Sequence, residues 1–109
     1  MKLAKDLVAA SAGPLVLSIL SGGETYGYAI IQRVRELSGG RIEWTDGMLY
    51  PVLHRLEAQE LVTSRWRQSE TGRNRKYYAL RREGRAAMAQ QKQQWSVVHQ
   101  ALSAAWEAG

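Results

Sequence analysis

The stretch Thr45–Glu57, TDGMLYPVLHRLE, decides the fold of this chain. Its leucines recur at the spacing of a helix, at Leu49, Leu53 and Leu56. Pro51 is unexpected in such a helix, because proline lacks the backbone N–H and crowds the carbonyl four residues earlier, here that of Gly47. Two interpretations follow. Either the helix starts at an N-cap on Thr45 with a bent first turn, or it begins at Tyr50 with Pro51 in its first position.

Two further helices are predicted before this stretch. Apolar residues from Leu3 to Leu20 recur at helical spacing, with a kink or restart expected at Gly13-Pro14 and an end at residues 21–23. A second helix is expected to have Thr25 as its N-cap and to end at residues 38–40. Its apolar stripe would run through Tyr28, Ile31, Val34 and Leu37.

A β-hairpin and a long helix are predicted after it. Residues 61–67 and 75–80 have strand-like patterns around the turn-forming residues 69–72, and 83–106 are rich in helix-forming residues. Trp44 and Trp66 are expected to pack the hairpin against the helices. The order predicts a mainly α fold with a small β-hairpin, the winged helix-turn-helix. Residues 1–81 would form the DNA-binding domain, whose first helix also contacts a second subunit, and 82–109 a dimerisation helix.

Composition narrows the function. The 109 residues contain no cysteine and only His54 and His99 as histidines, so disulfides, thiol catalysis and a recognisable metal cluster are not expected. No phosphate-binding glycine motif or catalytic triad is present, and we expect neither an enzyme nor a cofactor. No apolar run approaches the roughly 18 residues of a membrane span. A cytoplasmic protein without a membrane partner is therefore expected.

The charge favours a nucleic-acid partner. The net charge is +5 and the isoelectric point about 9.9, which suits a polyanion. The cations concentrate on the predicted hairpin, at Arg65, Arg67, Arg73, Arg75 and Lys76. They could neutralise phosphates, or the hairpin could simply be solvated. On the third helix the residues predicted to meet DNA are Thr45, Gly47, Met48, Tyr50, His54 and Arg55.

Three segments resemble the PadR family of bacterial transcription regulators. They are Tyr26-Gly27-Tyr28, LYPVLHRLE at 49–57 and GRNRKYY at 72–78, and the likeness extends from about residue 15 to 85. It implies a dimeric winged-helix repressor, commonly of genes for phenolic-acid detoxification or drug efflux. It also implies DNA contacts at Tyr50, Arg73 and Lys76, with Tyr77 supporting the wing. Met48 departs from the family's usual threonine, and residues 81–84 depart from its usual entry to the last helix.

The last helix predicts a dimer. Its apolar face carries Met88, Trp95, Val98, Leu102 and Trp106. A helix of about 24 residues spans roughly 36 Å, more than the small winged core can cover. The expected covering surface is a second copy of the chain, whose second recognition helix would suit a pseudo-palindromic operator.

Trp95 raises the question of a ligand. Residues 93–98 resemble the short-tailed PadR members that sense planar drugs, and this implies a pocket at the dimer centre in which aromatic ligands stack on Trp95. His99, Leu7 and Val8 are the other expected pocket residues. Alternatively, Trp95 only anchors the dimer. The hypotheses are a repressor relieved by a planar aromatic ligand, a DNA-binding regulator without an effector, and a winged-helix protein-interaction module.

Overall fold

The computed structural model describes all residues, Met1–Gly109. The helices are α1 (Lys5–Leu20), α2 (Gly27–Leu37), α3 (Asp46–Ala58) and α4 (Arg82–Ala108), and the strands are β1 (Thr25–Tyr26), β2 (Val62–Gln68) and β3 (Asn74–Leu80). The predicted winged helix-turn-helix is confirmed, with one addition. The β2–β3 hairpin, called the wing below, belongs to a three-stranded antiparallel sheet in the order β1-β3-β2.

α1 runs without a break through Pro14, so of the two alternatives predicted at Gly13-Pro14, a kink or a restart, the restart is wrong. The proline can remove only the hydrogen bond to the carbonyl of Ala10, which lies on an exposed residue. The helix starts two residues later than expected, at Lys5, and ends where the serine and glycines predicted it.

Thr25 is not the N-cap of the second helix, contrary to prediction. Thr25 and Tyr26 form β1, which pairs with Tyr78 and Tyr77 of β3, and Tyr26 is the residue that precedes α2. Both residues are extended, so their backbone groups bond to the sheet before the chain turns into the helix. The winged domain is thereby closed by residues about fifty positions apart in the chain.

The apolar stripe of α2 also differs from the prediction. Ile30 and Val34 are fully buried, whereas Tyr28 and Leu37 are exposed. The pattern predicted the helix correctly but rotated its buried face, because Ile30 and Ile31 are adjacent and the spacing alone does not choose between them.

α3 begins at Asp46, with Thr45 before it, so the alternative start at Tyr50 is wrong. Its three leucines are buried in the core as predicted. The helix ends in a Schellman-type turn: Glu60 has a positive φ of 61°, and the N–H of Leu61 donates to the carbonyl of Leu56 at 3.0 Å. Leu61 thus leaves α3 in a defined direction and leads into β2.

The wing has seven residues in each strand, with Val62 opposite Leu80 and Gln68 opposite Asn74. Trp44 is buried in the core, but Trp66 is 68% exposed, so the prediction that it packs the wing against the helices is wrong. Only the start of β2 lies over the core, and the strand then projects beyond it, which leaves Trp66 without a packing surface.

α4 crosses the core at a glycine. Gly84 is its only buried residue. A Cβ there would overlap the carbonyl oxygen of Leu61 and lie 2.8 Å from Cδ1 of Leu80. The same carbonyl accepts a hydrogen bond from the N–H of Arg81 at 3.0 Å. One backbone group therefore joins the end of α3, the base of the wing and the start of α4.

Candidate nucleic-acid interface

A groove lies between α3 and the wing, and we call it the wing groove. Its volume is about 570 Å³, and it is lined by Tyr26, Gly27, Tyr28, Tyr50, His54, Trp66, Arg73, Asn74, Arg75, Lys76 and Tyr78. Cations and aromatic rings dominate this lining, and it holds no carboxylate. Such a surface suits the phosphates and base edges of a nucleic acid.

From α3, Tyr50 and His54 line the groove, and the same helix also presents Gly47 and Pro51. All are exposed except Tyr50, which is half-buried, and its ring centroid lies 6.3 Å from that of His54. Pro51 occupies this exposed side, so its missing N–H leaves only the carbonyl of Gly47 without a helical donor. Gly47 and Pro51 are both exposed, so water can hydrogen-bond to the carbonyl that the proline leaves without a donor.

Tyr50 is held in place by a glycine of α2. A Cβ on Gly27 would lie 2.5 Å from the Tyr50 hydroxyl oxygen and 3.0 Å from its Cζ. The phenol therefore lies directly over the start of α2, where only glycine leaves room for it. Gly27 is a positioning residue for Tyr50 that sequence reasoning missed, although its place beside two tyrosines in the Tyr-Gly-Tyr segment was a signal.

Replacing Gly27 by alanine is expected to weaken DNA binding about tenfold, since the Tyr50 ring must leave its position, while thermal stability changes little. Fluorescence anisotropy of a labelled duplex measures the affinity. Tyr50→Ala and the double variant complete a cycle: if Gly27 acts through Tyr50, the two losses are not additive. Additive losses would contradict this assignment.

The wing cations fall into two groups. Arg65 and Arg67 lie on the outer face of the sheet and share one partner, Glu24: the Arg65 Nη2–Oε1 distance is 3.0 Å and the Arg67 Nη1–Oε1 distance 2.6 Å. The hydrogen bond from Arg65 lowers the pKa of Glu24 below its usual value. The Glu24 carboxylate therefore stays ionised at neutral pH. Its ion pairs with Arg65 and Arg67 are lost only as the pH falls through that lowered pKa.

The second group is free of carboxylates. Arg73, Arg75 and Lys76 form no ion pair in this structure. Arg75 lies 4.3 Å above the ring of Tyr26, and Lys76 lies 5.8 Å from the ring of Tyr78. These contacts orient the cations without neutralising them, so their charge remains available to phosphates.

Two tyrosines support this arrangement. Tyr77 is buried beneath the guanidinium of Arg67, 3.9 Å from its ring, and makes an edge contact with Tyr26 at 5.4 Å. It lies outside the wing groove. Tyr78 is fully buried and its hydroxyl has no hydrogen-bond partner. Burial raises the pKa of Tyr78 to about 12, so this phenol is neutral at physiological pH.

The remaining residues predicted to meet DNA lie beside the groove. Met48 and Arg55 border a separate cleft between α1 and α3, and Thr45 is exposed immediately before α3. Two exposed aromatic residues in the wing groove were missed by the sequence analysis, Trp66 and Tyr28. The signal in the sequence for Trp66 was its place between two arginines, Arg65 and Arg67.

A second groove lies between α1 and α4. Trp95 and His99 line it, together with Ser11, Pro14 and Leu15 of α1, and its volume is about 450 Å³. Leu7 and Val8 do not line it: Leu7 is exposed, and Val8 packs against the core and faces the α1–α3 cleft. In the single chain, the predicted pocket residues are thus brought together only in part.

The apolar face predicted for α4 is exposed. The predicted dimerisation residues have exposed fractions of 41% for Trp95, 51% for Val98, 44% for Leu102 and 69% for Trp106, and only Met88 is partly covered, against the core. No element of the same chain covers the second half of the helix. None of the four helices combines the length and the hydropathy that a membrane span requires.

Comparison with known proteins finds one family. The model of the "Transcriptional regulator PadR-like family" matches residues 16–90. A PadR family regulator from Clostridium difficile is 34% identical, with 85% of this chain and 95% of that chain covered and a TM-score of 0.74. One from Eggerthella lenta is 30% identical, with 95% and 88% covered and a TM-score of 0.81. The transcriptional regulator YqjI of Escherichia coli is 29% identical over 83% of this chain, which spans only 42% of YqjI.

Proposed function

We propose that this chain, which belongs to the PadR-like family of transcriptional regulators, binds its operator as a homodimer and acts as a repressor. It is a DNA-binding transcriptional regulator and not an enzyme. The repression, the dimer and the control by a ligand are the parts that we propose, and each depends on a separate feature of the structure.

We propose that the residues of the wing groove contact the DNA. This groove combines the exposed side of a recognition helix with three unpaired cations, Arg73, Arg75 and Lys76. In this motif the third helix enters the major groove and the basic side chains around it contact the backbone. Tyr50 and His54 would then face base edges, with Arg55, Thr45 and the backbone of Gly47 and Met48 at the flank. Tyr77 would act indirectly, by supporting the wing from its outer face.

The exposed stripe of α4 supports the dimer. A helix of 27 residues is about 40 Å long, and its second half presents Val98, Leu102 and Trp106 to solvent. Isolated proteins rarely expose such a continuous apolar stripe, and a twofold-related copy would cover it. We therefore propose residues 1–81 as the DNA-binding domain and residues 82–109 as the dimerisation helix, with α1 contributing to the interface.

The groove between α1 and α4 supports the proposed ligand site. Trp95 is 41% exposed there, beside His99 and the serines of α1. A planar aromatic molecule would stack on the indole, and the second subunit would close the pocket. Leu7 would then contribute from α1 of the second subunit, and Val8 only after movement. Ligand binding would shift the spacing of the two wings and weaken operator binding.

A binding assay with a matched control tests DNA recognition. A duplex selected from a random pool is labelled, and its affinity is compared with that of a scrambled duplex by fluorescence anisotropy. We expect selective binding with two protein chains per duplex, measured by sedimentation. Equal affinity for both duplexes would contradict operator recognition, and one chain per duplex would contradict the dimer.

Trp95→Ala is expected to reduce binding of a planar dye such as acridine orange at least tenfold in the absence of DNA, since the stacking surface is lost. Trp66→Ala, which removes an exposed tryptophan outside this groove and outside the proposed dimer stripe, is the control and should leave dye affinity within about twofold. Sedimentation of both variants tests the alternative that Trp95 serves only the dimer contact. If Trp95→Ala becomes monomeric while wild type never binds dye, Trp95 only anchors the dimer and the ligand proposal fails.

A further inference from the structure

A further cavity of the chain lies apart from the wing groove and the groove beside Trp95. It is a cleft of about 910 Å³ between the start of α1, the segment before α3 and α3 itself, and we call it the α1–α3 cleft. Its size lies within the range of about 300–1,000 Å³ that small-molecule sites occupy. The proposed dimer helix does not line it, and of the predicted DNA-binding residues only Met48 and Arg55 border it.

The interior of the cleft is aliphatic. Val8, Ala12, Ile42 and Val52 line it, and Trp44 is its only aromatic residue. Trp44 is 5% exposed, so its ring offers little face for stacking. An occupant would therefore gain affinity mainly by burying a flexible alkyl body, not by aromatic stacking.

The rim of the cleft is cationic. Lys2, Lys5, Arg41 and Arg55 border it, and none of them forms an ion pair. The single carboxylate of the lining, Glu43, already pairs with Arg35, at 3.5 Å. An apolar interior below unpaired cations is complementary to an amphiphile with a negative head group.

We infer that the α1–α3 cleft binds an anionic alkyl amphiphile, such as a fatty carboxylate, with its chain over Val8 and Val52 and its head among the four rim cations. The site also touches the DNA-binding surface, because Met48 and Arg55 belong to both. A bound head group draws Arg55 away from phosphate, so amphiphile and DNA weaken each other's binding. This second control point is independent of the ligand site at Trp95.

Decanoate and decyltrimethylammonium test the inference, since they have the same alkyl length and opposite charge. Titration calorimetry of the full chain below the micellar range should show saturable binding of decanoate and at least tenfold weaker binding of the cation. Lys2→Gln/Lys5→Gln/Arg41→Gln should weaken decanoate binding at least tenfold and leave DNA affinity without decanoate within about twofold. Ala9→Phe, which places a ring in the cleft, should also block decanoate.

Three outcomes would overturn the inference. They are no saturable decanoate binding, equal affinity for both probes, and decanoate binding lost in Trp95→Ala but retained in the triple variant. Photocross-linking to α4 of a second copy, from a benzophenone maleimide attached at Ala9→Cys, would show that another chain fills the cleft and would also overturn the inference. Because decanoate binding is measured without DNA, its failure leaves operator binding and the dimer standing.

Discussion

Exchange of Arg73 and Lys76 for glutamine is expected to lower DNA affinity on the order of 1,000-fold at about 0.1 M salt, and to flatten its salt dependence. If a dimer contacts about six phosphates, the logarithm of affinity falls with a slope near −5 against the logarithm of salt concentration. Two cations lost from each subunit remove about four contacts and leave a slope near −2. Anisotropy titrations at four salt concentrations measure it.

The same wing contains a matched control. Arg65→Gln/Arg67→Gln removes the same charge, but these guanidiniums already share the Glu24 carboxylate on the outer face. The slope of this control should therefore change much less than that of the first variant. Circular dichroism shows whether both variants remain folded. Equal slopes for the two variants would mean that pairing with Glu24 does not keep Arg65 and Arg67 from contacting phosphates. An unchanged slope in the Arg73/Lys76 variant would show that the wing does not contact the DNA.

Gly84→Ala is expected to be the most destabilising single-methyl change in the chain, with a loss of about 3 kcal/mol in the free energy of unfolding. The added Cβ overlaps a backbone oxygen, that of Leu61, which a rotamer change cannot move. Relief requires α4 to shift away, and the hydrogen bond from the N–H of Arg81 to that oxygen is then strained. Urea denaturation at equal protein concentration measures the loss, since a dimer's stability depends on concentration.

Gly13→Ala is the control for this change. Gly13 also lies within a helix and is buried, but a Cβ there would meet nothing within 4 Å. Alanine should be neutral or stabilise α1 by up to about 1 kcal/mol. A similar loss at both glycines would show that the cost arises from helix substitution in general and not from the contact between α4 and Leu61.

The sequence predicted local structure well and long-range contacts poorly. Leu49, Leu53 and Leu56 placed α3 and its buried face, because helical periodicity is a property of neighbouring residues. β1 could not be predicted, since two residues have no period and their partners lie far along the chain. For the same reason the five wing cations looked equivalent. The partner that separates them, Glu24, is 41 residues from Arg65.

The tryptophans show a second limit. The strand-like pattern of residues 61–67 predicted β2, on which Val62 and Trp66 lie four residues apart and so on the same face, but the pattern could not show where the core beneath that face ends. Trp66 therefore lies in the wing groove, exposed, and not in a packed interior. Which side of a strand a residue occupies is local information, whereas the extent of the covering layer is not.

The carbonyl of Leu61 couples the orientation of α4 to that of α3. Gly84 of α4 packs directly on this oxygen. The N–H of the same residue, Leu61, donates to the carbonyl of Leu56 in the last turn of α3. Along α4, Trp95 lies about 16 Å from this contact. A tilt of about 5° moves the helix by about 1.4 Å at Trp95 and turns the end of α3 through the same angle if the joint stays rigid. The absence of one methyl group at residue 84 is what lets this joint close tightly enough to transmit such a tilt.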